Sequence, residues 1–416
     1  MTEQWAWFVG VDWGSEEHAI CVVDAAGTVR GERRVVHSAV AVADAIAWLR
    51  TLTGVAPPAL AVAIETPRGV LVDTFLEQGF PVFAINPKQL DRLRDRLTPA
   101  GAKDDRRDAH VLGDGLRTDA RAFRPVTPDD PQIIHLRELC RIEEELQAQH
   151  RRLANRLREQ LVRIDAPWLT LSPGADDPWL WTVLRDAPDP AAWARLKRRA
   201  LVAVLRQHRI RRWTADDVIA ALQQPRLAGA AGVADAVALR IASLVPQLLL
   251  VHEQHTATHR RLERALEGLA EGADDKPREH RDVEILRSLP GAGRMVTATM
   301  LTEAAAAIGT RDYSMLRTQS GTAPVTKRSG KRLYTVQMRY ACKPRLRNAL
   351  YYGALASLTL DAAARVYYDG LRRRGATHAR ALRSVADRWL RILVAMLKSG
   401  RVYNPLQPRA AQAATA

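Results

Sequence analysis

The sequence predicts an α/β N-terminal domain on a mixed sheet, then a long helical middle and a mostly helical C-terminal part. Three observations support this. Short β-rich runs bounded by turns open the chain and then alternate with helical segments. From about residue 131, apolar residues recur at helical spacing through two long charged stretches. The charge balance also changes: residues 281–416 hold 24 Lys+Arg against 7 Asp+Glu, net +17, whereas residues 1–280 sum to −1.

The first strands form a meander. Trp7 to Asp12 is a buried run, Ala19 to Val23 follows a polar turn, Asp24-Ala25-Ala26-Gly27 turns tightly, and Val29 to Val36 returns with charges interspersed. A helix from about Val40 to Leu52 ends at Gly54 and Pro57-Pro58. Leu60 to Ile64 is a fourth strand with Glu65 at its end. After Thr66-Pro67-Arg68-Gly69, Val70 to Gln78 is helical, Gly79 caps it, and Pro81 to Ile85 gives a fifth strand closed by Asn86-Pro87. A helical stretch follows Lys88, Pro99-Ala100-Gly101 breaks it, and another helix starts near Asp104 or Asp105. Three antiparallel strands followed by alternating helices and strands make a mixed sheet.

Leu139, Leu146 and Leu153 fall seven apart, as do Leu157 and Ile164, and Leu136, Ile142 and Leu161 widen the stripe. That spacing predicts a long amphipathic helix with coiled-coil character. A Trp- and Pro-rich stretch, Pro167 to Trp193, and basic helical segments to about Leu222 precede a second long helical run, Ala234 to Leu269, bent or interrupted at Pro246. The two long helices pair antiparallel or with a second copy. A polar, acidic break at 272–277 sets a boundary, giving expected domains at 1–127, 128–275 and 276–416. Within the last, VEILRSLPGAGRMVTATMLTE (283–303) reads as helix, Pro-Gly-x-Gly turn, helix. It resembles the helix-hairpin-helix, in which amides near Gly291, Gly293 and Arg294 would grip a nucleic-acid phosphate.

With 416 residues, 47% of them hydrophobic and 26% charged, the chain has room for two or three domains and is neither disordered nor a disulfide-stapled miniprotein. Cys21, Cys140 and Cys342 are too dispersed for a disulfide framework or a cysteine-rich zinc site, which fits a reducing cytoplasm. No uninterrupted apolar run approaches the roughly 20 residues that cross a bilayer, and the N-terminus lacks a basic n-region, so neither secretion nor a membrane span is expected. The basic last third implies a polyanion partner, nucleic acid by default.

Four carboxylates are candidates for chemistry. Neighbouring strand ends bring Asp12 and Glu65 side by side, and a spacing of three puts Asp105 and Asp108 on one helical face. Clustered carboxylates repel unless cations neutralise them, which suits oxygen-loving Mg²⁺ or Mn²⁺. Two such ions about 3.5–4 Å apart are a common clamp for displacement at a phosphodiester.

These motifs resemble the DEDD transposases of the insertion-sequence-110 family, RNA-guided DNA recombinases with an RNase H/RuvC-like domain. The residues concerned are GVDWGS around Asp12, AIETPRG around Glu65, INPKQ from Ile85, KDDRRDA from Lys103, LPGAG from Leu289, SGTAPVTKRSGKR from Ser320, and RLRNALYYGA from Arg345. The resemblance covers about residues 7–125 and 283–400. It implies that Asp12, Glu65, Asp105 and Asp108 are catalytic and bind Mg²⁺ or Mn²⁺. It also implies that a serine of the C-terminal domain attacks DNA. The matching serine is Ser329, with Ser320 the competing choice, and Lys327, Arg328, Lys331 and Arg332 would stabilise phosphate charge. Partners implied are DNA, a structured guide RNA, and further copies forming a dimer that assembles to a tetramer. Two departures stand out: Asp104 occupies a position where the family usually has a hydroxyl residue, and the 167–222 region is longer than usual.

Other readings compete. A metal-dependent DNA junction nuclease would cut without a covalent intermediate, and a non-catalytic nucleic-acid-binding scaffold would need no acids. VDWGS also resembles the first phosphate loop of actin-like sugar kinases and ATPases, but those need a second D-x-G, and Asp12-Trp13-Gly14 is the only one in the chain. His252, His255 and His259 share a helical face and read as solvated coiled-coil positions. Arg372-Arg373-Arg374 is a phosphate contact or a solvated run. One tyrosine of each of the pairs Tyr351-Tyr352 and Tyr367-Tyr368 is expected in the core.

Overall fold

The computed structural model describes residues 5–97, 104–128, 130–225, 227, 230–270, 278–329 and 332–405. The chain divides into two compact units, 1–130 and 131–416.

In the first unit, strands β1 (Trp7–Asp12), β2 (Glu17–Asp24) and β3 (Val29–Val36) precede helix α1 (Ala39–Thr53), strand β4 (Leu60–Ile64), helix α2 (Val70–Glu77), strand β5 (Val82–Ala84), helices α3 (Pro87–Leu97) and α4 (Asp105–Thr118), and strand β6 (Arg124–Pro125). The sheet order is β3-β2-β1-β4-β5-β6. β1 pairs antiparallel with β2 and parallel with β4, β5 runs parallel to β4, and β6 is antiparallel to β5. This is the mixed sheet expected. The two-residue β6 escapes sequence reading because it shows no alternation and contains a proline.

Strand alternation divides the core into two layers. Val9 and Val11 of β1 and Leu60, Val62 and Ile64 of β4 pack with Ile46, Leu49 and Leu71 from α1 and α2. Phe8, Ala61 and Ala63 point to the other face, where Leu112 and Leu116 of α4 cover them. Small residues let α4 sit close: a Cβ on Gly10 would fall 1.8 Å from the Ala109 carbonyl oxygen and 2.6 Å from the Gly113 nitrogen. Asp104 caps α4, its carboxylate accepting from the Arg106 N–H. A hydroxyl side chain could cap the same helix, so the departure from the family pattern changes the charge and keeps the cap.

The second unit is mostly helical. It runs through α5 (Pro131–Arg163), α6 (Trp168–Leu171), α7 (Pro178–Asp186), α8 (Pro190–Ala194), α9 (Arg198–Gln207), α10 (Ala215–Leu222) and α11 (Val233–Ala270). Then follow α12 (Arg278–Ser288), α13 (Arg294–Glu303), α14 (Ala305–Gly309), α15 (Tyr313–Ser320), the hairpin β7 (Val325–Ser329) and β8 (Arg332–Gln337), α16 (Pro344–Leu360), α17 (Ala362–Arg373) and α18 (His378–Ser399). The long helices α5 and α11 pair antiparallel: Leu136 and Leu139 share a core with Leu262 and Leu266, while Leu157 and Leu161 share one with Ile241 and Val245. The first of these cores also contains Val283, Leu301, Leu346 and Leu393, so the basic C-terminal helices build on one end of the helical pair. At the other end, Trp168, Trp179, Trp181 and Trp193 bury the 167–222 segment against it.

α11 bears on one expectation. Its length and an 18-residue window of mean hydropathy 1.6 would suffice for a membrane span. A search for uninterrupted apolar residues misses this, because Asp235 and Arg240 break the run. Part of that stretch is accounted for by packing, since Val237, Ile241, Val245 and Leu248 face the tryptophan cluster. All three cysteines are free, and burial pushes the Cys21 and Cys140 thiols up to about 12, so both stay protonated.

Candidate active site

Register and alternation bring two acids to one edge. β1 and β4 are parallel neighbours with Val11 opposite Ile64; Asp12 ends β1 and Glu65 directly follows β4. Asp12 has the parity of Phe8 and Gly10, residues facing α4. Asp12 and Glu65 are both half-buried.

α4 brings the other two. Its backbone crosses Gly10 at Ala109 and Gly113, with Gly113 also beside Phe8, so the helix runs antiparallel to β1. Asp105 is exposed in the first turn of α4. Asp108 is buried and turned toward α3, where Arg94 donates from Nε to Oδ1 at 2.7 Å and from Nη2 to Oδ2 at 2.9 Å. This pairing raises the Arg94 pKa further, chiefly through those hydrogen bonds. Arg106, in the same first turn, is ion-paired with Glu32 of β3 and ties the start of α4 to the sheet.

Asp12 and Glu65 follow paired positions of neighbouring strands and Asp105 and Asp108 open α4, yet no three of the four bring ligand atoms within 4.8 Å of one another. Sequence reading missed Arg94, which occupies Asp108. A basic residue on a charged helix gives no hint of its partner until the fold is known.

The loop after β1 is built around a second pair the sequence did not reveal. His18 is buried, its Nδ1 accepts from the Gly14 N–H at 3.3 Å, and its Nε2 lies 2.9 Å from His37 Nδ1. Burial, and then the neighbouring His37, hold the His18 pKa below its ordinary value.

In the second unit, Ser329 ends β7 opposite Arg332 at the start of β8. Lys327 and Arg328 are on β7, and Arg332 is on β8; Lys331 lies outside the described residues. Ser320 is fully buried at the end of α15, its Oγ donating to the Arg317 carbonyl at 3.3 Å and lying 3.2 Å from Thr322 Oγ1. Gly291 adopts φ +85°, and a Cβ there would meet the Gly353 carbonyl oxygen at 2.1 Å, so packing on α16 requires this glycine. Gly293 precedes α13 and borders open space. Arg294 faces inward, 3.5 Å from Glu263 and with Nη2 3.2 Å from His259 Nδ1.

The three histidines of α11 are not simply solvated. His252 is half-buried against Trp181 at 5.7 Å between ring centroids, and Glu143 of α5 lies beside the other two. Its Oε1 is 3.2 Å from His255 Nε2 and 3.6 Å from His259 Nδ1. The nearby carboxylate is on the paired helix, more than a hundred positions away in sequence. In the tyrosine pairs, Tyr352 is exposed, Tyr351 and Tyr368 bond His378, and Tyr367 lies under the Arg388 guanidinium at 4.9 Å. Arg372, in the last turn of α17, donates to the Ala376 carbonyl.

Comparison with known proteins agrees with this architecture. A family model described as transposase, named for the DEDD transposases of IS110, matches residues 9–165. A second, described as the transposase IS116/IS110/IS902 family, matches residues 283–369. Over 216 residues, 52% of the chain, it is 45% identical to y4uE of Sinorhizobium fredii, which carries a transposase name and is spanned over 60% of its length. Over 413 residues it is 30% identical to the mini-circle protein for IS117 of Streptomyces coelicolor, also named as a transposase, covering 97% of this chain and 94% of that one. The IS110 insertion-element protein of the same organism is 31% identical over 317 residues, 75% of each chain. The chain belongs to the IS110 family of transposases, enzymes that cut and rejoin DNA.

Proposed function

We propose that this chain exchanges DNA strands through a serine-linked intermediate, with Asp12, Glu65, Asp105 and Asp108 forming a divalent-metal centre in an RNase H/RuvC-like domain. The observation that supports this reading most is the register of β1 and β4. Val11 lies opposite Ile64, and Asp12 and Glu65 are the residues that follow them, which supports a shared site for the two acids.

The donor set fits a hard cation, since every candidate ligand is a carboxylate oxygen. Asp12, Glu65 and Asp105 would hold Mg²⁺ or Mn²⁺ directly, and Asp108 would join on leaving Arg94. When bound, such ions would neutralise the clustered carboxylates and polarise a phosphodiester. Until then the Arg94 guanidinium supplies the positive charge that a buried Asp108 requires.

Ser329 supplies the nucleophile. Its Oγ bonds to phosphorus as its proton leaves, and the ester bond from phosphorus to one DNA oxygen breaks, that oxygen taking up a proton. The phosphoserine ester conserves the bond, so the reverse attack by a DNA hydroxyl rejoins strands without ATP. Lys327, Arg328, Lys331 and Arg332 flank Ser329 in sequence and would stabilise the charge on phosphorus. The burial of Ser320 disfavours it as the attacking group. Gly293, at the open start of α13, remains the best candidate for a phosphate contact in the 283–303 motif. Gly291 and Arg294 would act there through packing and inward ion pairing.

The division of labour follows: 1–127 for metal chemistry, 128–275 as a helical, coiled-coil-like spacer, and 276–416 for DNA contact and the serine. A structured guide RNA and a dimer assembling to a tetramer belong to the same reading, on family resemblance and the +17 net charge of residues 281–416.

The test is strand cleavage with Mg²⁺ on element-end DNA together with its flanking non-coding transcript. The wild type should form a covalent protein–DNA adduct. Asp12→Asn should bind without cutting, and Ser329→Ala should form no adduct. Cleavage with no adduct would favour a junction nuclease, and no metal-dependent cleavage would favour a scaffold.

A further inference from the structure

Away from the acidic sheet edge, α5 and α11 bring three metal-binding side chains together. His255 and His259 are four apart on α11, the spacing that puts two imidazoles on one helical face. Glu143 of α5 comes between them, and one ligand atom from each of the three lies within 4.8 Å of the others. The Oε1 separations of 3.2 Å and 3.6 Å match the ligand-to-ligand edge of about 3.3 Å expected around a tetrahedral ion with metal–nitrogen bonds of 2.0–2.1 Å.

A second observation points the same way. Glu143 is 6% exposed, and its Oε2 has no hydrogen-bond partner among the described residues. A buried carboxylate oxygen without a donor is costly, and ion pairs or metals are the usual remedies. Two half-buried imidazoles alongside provide only a partial remedy.

We infer that Glu143, His255 and His259 form a transition-metal site, Zn²⁺ being the best fit, that fastens α5 to α11. Two imidazole nitrogens and one carboxylate suit Zn²⁺ and its neighbours better than Mg²⁺, so the site is chemically distinct from an all-oxygen centre. Three protein ligands leave at least one position for water. Arg294 and Glu263 face the site as well: a metal on His259 Nδ1 displaces the Arg294 Nη2 donor, and Glu263 at 3.5 Å retains that guanidinium. Because Arg294 opens α13, occupancy would also shift a contact of the segment after the Pro-Gly turn.

The experiment uses the full chain with any affinity tag removed, dialysed against excess Mg²⁺ and then exposed to one equivalent of Zn²⁺ or Co²⁺. One Zn²⁺ per chain should be retained, and the Co²⁺ form should show the intense visible bands of a four- or five-coordinate nitrogen-containing site. His255→Ala and His259→Ala should each lose the bound ion. Glu143→Gln, nearly isosteric, should weaken binding at least about 100-fold, the upper end of what removing even an outer partner costs. Failure of the wild type to retain Zn²⁺ overturns the proposal, as does retention by folded His255→Ala or His259→Ala. If those variants do not fold, the wild-type Co²⁺ spectrum decides, and an all-oxygen octahedral signature contradicts the site.

Discussion

The Arg94 guanidinium holds both carboxylate oxygens of Asp108, at 2.7 Å and 2.9 Å, with the acid side chain 3% and the arginine side chain 19% exposed. Removing the arginine strands a buried charge. Arg94→Met should lower stability by about 3–5 kcal/mol in denaturant unfolding, whereas Arg94→Met with Asp108→Leu should recover most of the loss. Equal unfolding midpoints for wild type and the single variant would mean the pair contributes nothing.

The approach of α4 to β1 depends on the missing side chain of Gly10. A Cβ 1.8 Å from the Ala109 carbonyl oxygen cannot be accommodated without moving the helix that bears Asp105 and Asp108. Gly10→Ala should therefore cost more than about 3 kcal/mol, at or beyond the upper end of ordinary overpacking. Any folded fraction should bind DNA yet cut poorly. Unfolding curves and a gel cleavage assay check both parts.

His18 gives a pH dependence of known sign. Its folded pKa lies below the ordinary 6.5, so protonation favours the unfolded chain. The contribution to stability is complete above about pH 6.5 and is lost as pH falls from there toward the folded value. His150, His208, His252 and His259 are shifted the same way, chiefly by burial, and add to the slope. Melting temperature should fall between pH 7.5 and 5.5, less steeply in His18→Gln. An unchanged slope in that variant would remove His18 from the explanation.

The two serines separate cleanly. Ser320→Ala loses a buried hydroxyl with modest hydrogen bonds and should cost about 1 kcal/mol while leaving covalent adduct formation intact. Ser329→Ala should abolish the adduct with unchanged stability. Adduct formation by Ser329→Ala, or its loss in Ser320→Ala alone, would reverse the assignment.

The sheet was legible because its signals are local. Period-2 runs, Gly54 and Gly79 as caps, and the prolines after α1 mark each element within a few residues. Placing Asp12 and Glu65 together needed only the idea that β1 and β4 are neighbours, and the register supports it. What stayed hidden depends on long-range contacts. Arg94 finds Asp108 across two helices, Glu143 meets His255 and His259 across the long pair, and Gly291 is fixed by α16. No residue type or spacing announces those partners before the chain folds. Likeness to a helix-hairpin-helix also led toward phosphate contact at Gly291, where the nearer physical reason is a backbone carbonyl too close for any Cβ.

Anomalous diffraction from crystals of the full chain soaked in Mn²⁺ tests the metal centre most directly. A peak bounded by the carboxylates of Asp12, Glu65 and Asp105, weakened in Asp12→Asn crystals, is the expected result. Well-ordered side chains at that edge with no peak at saturating Mn²⁺, in the presence of bound DNA, would contradict it.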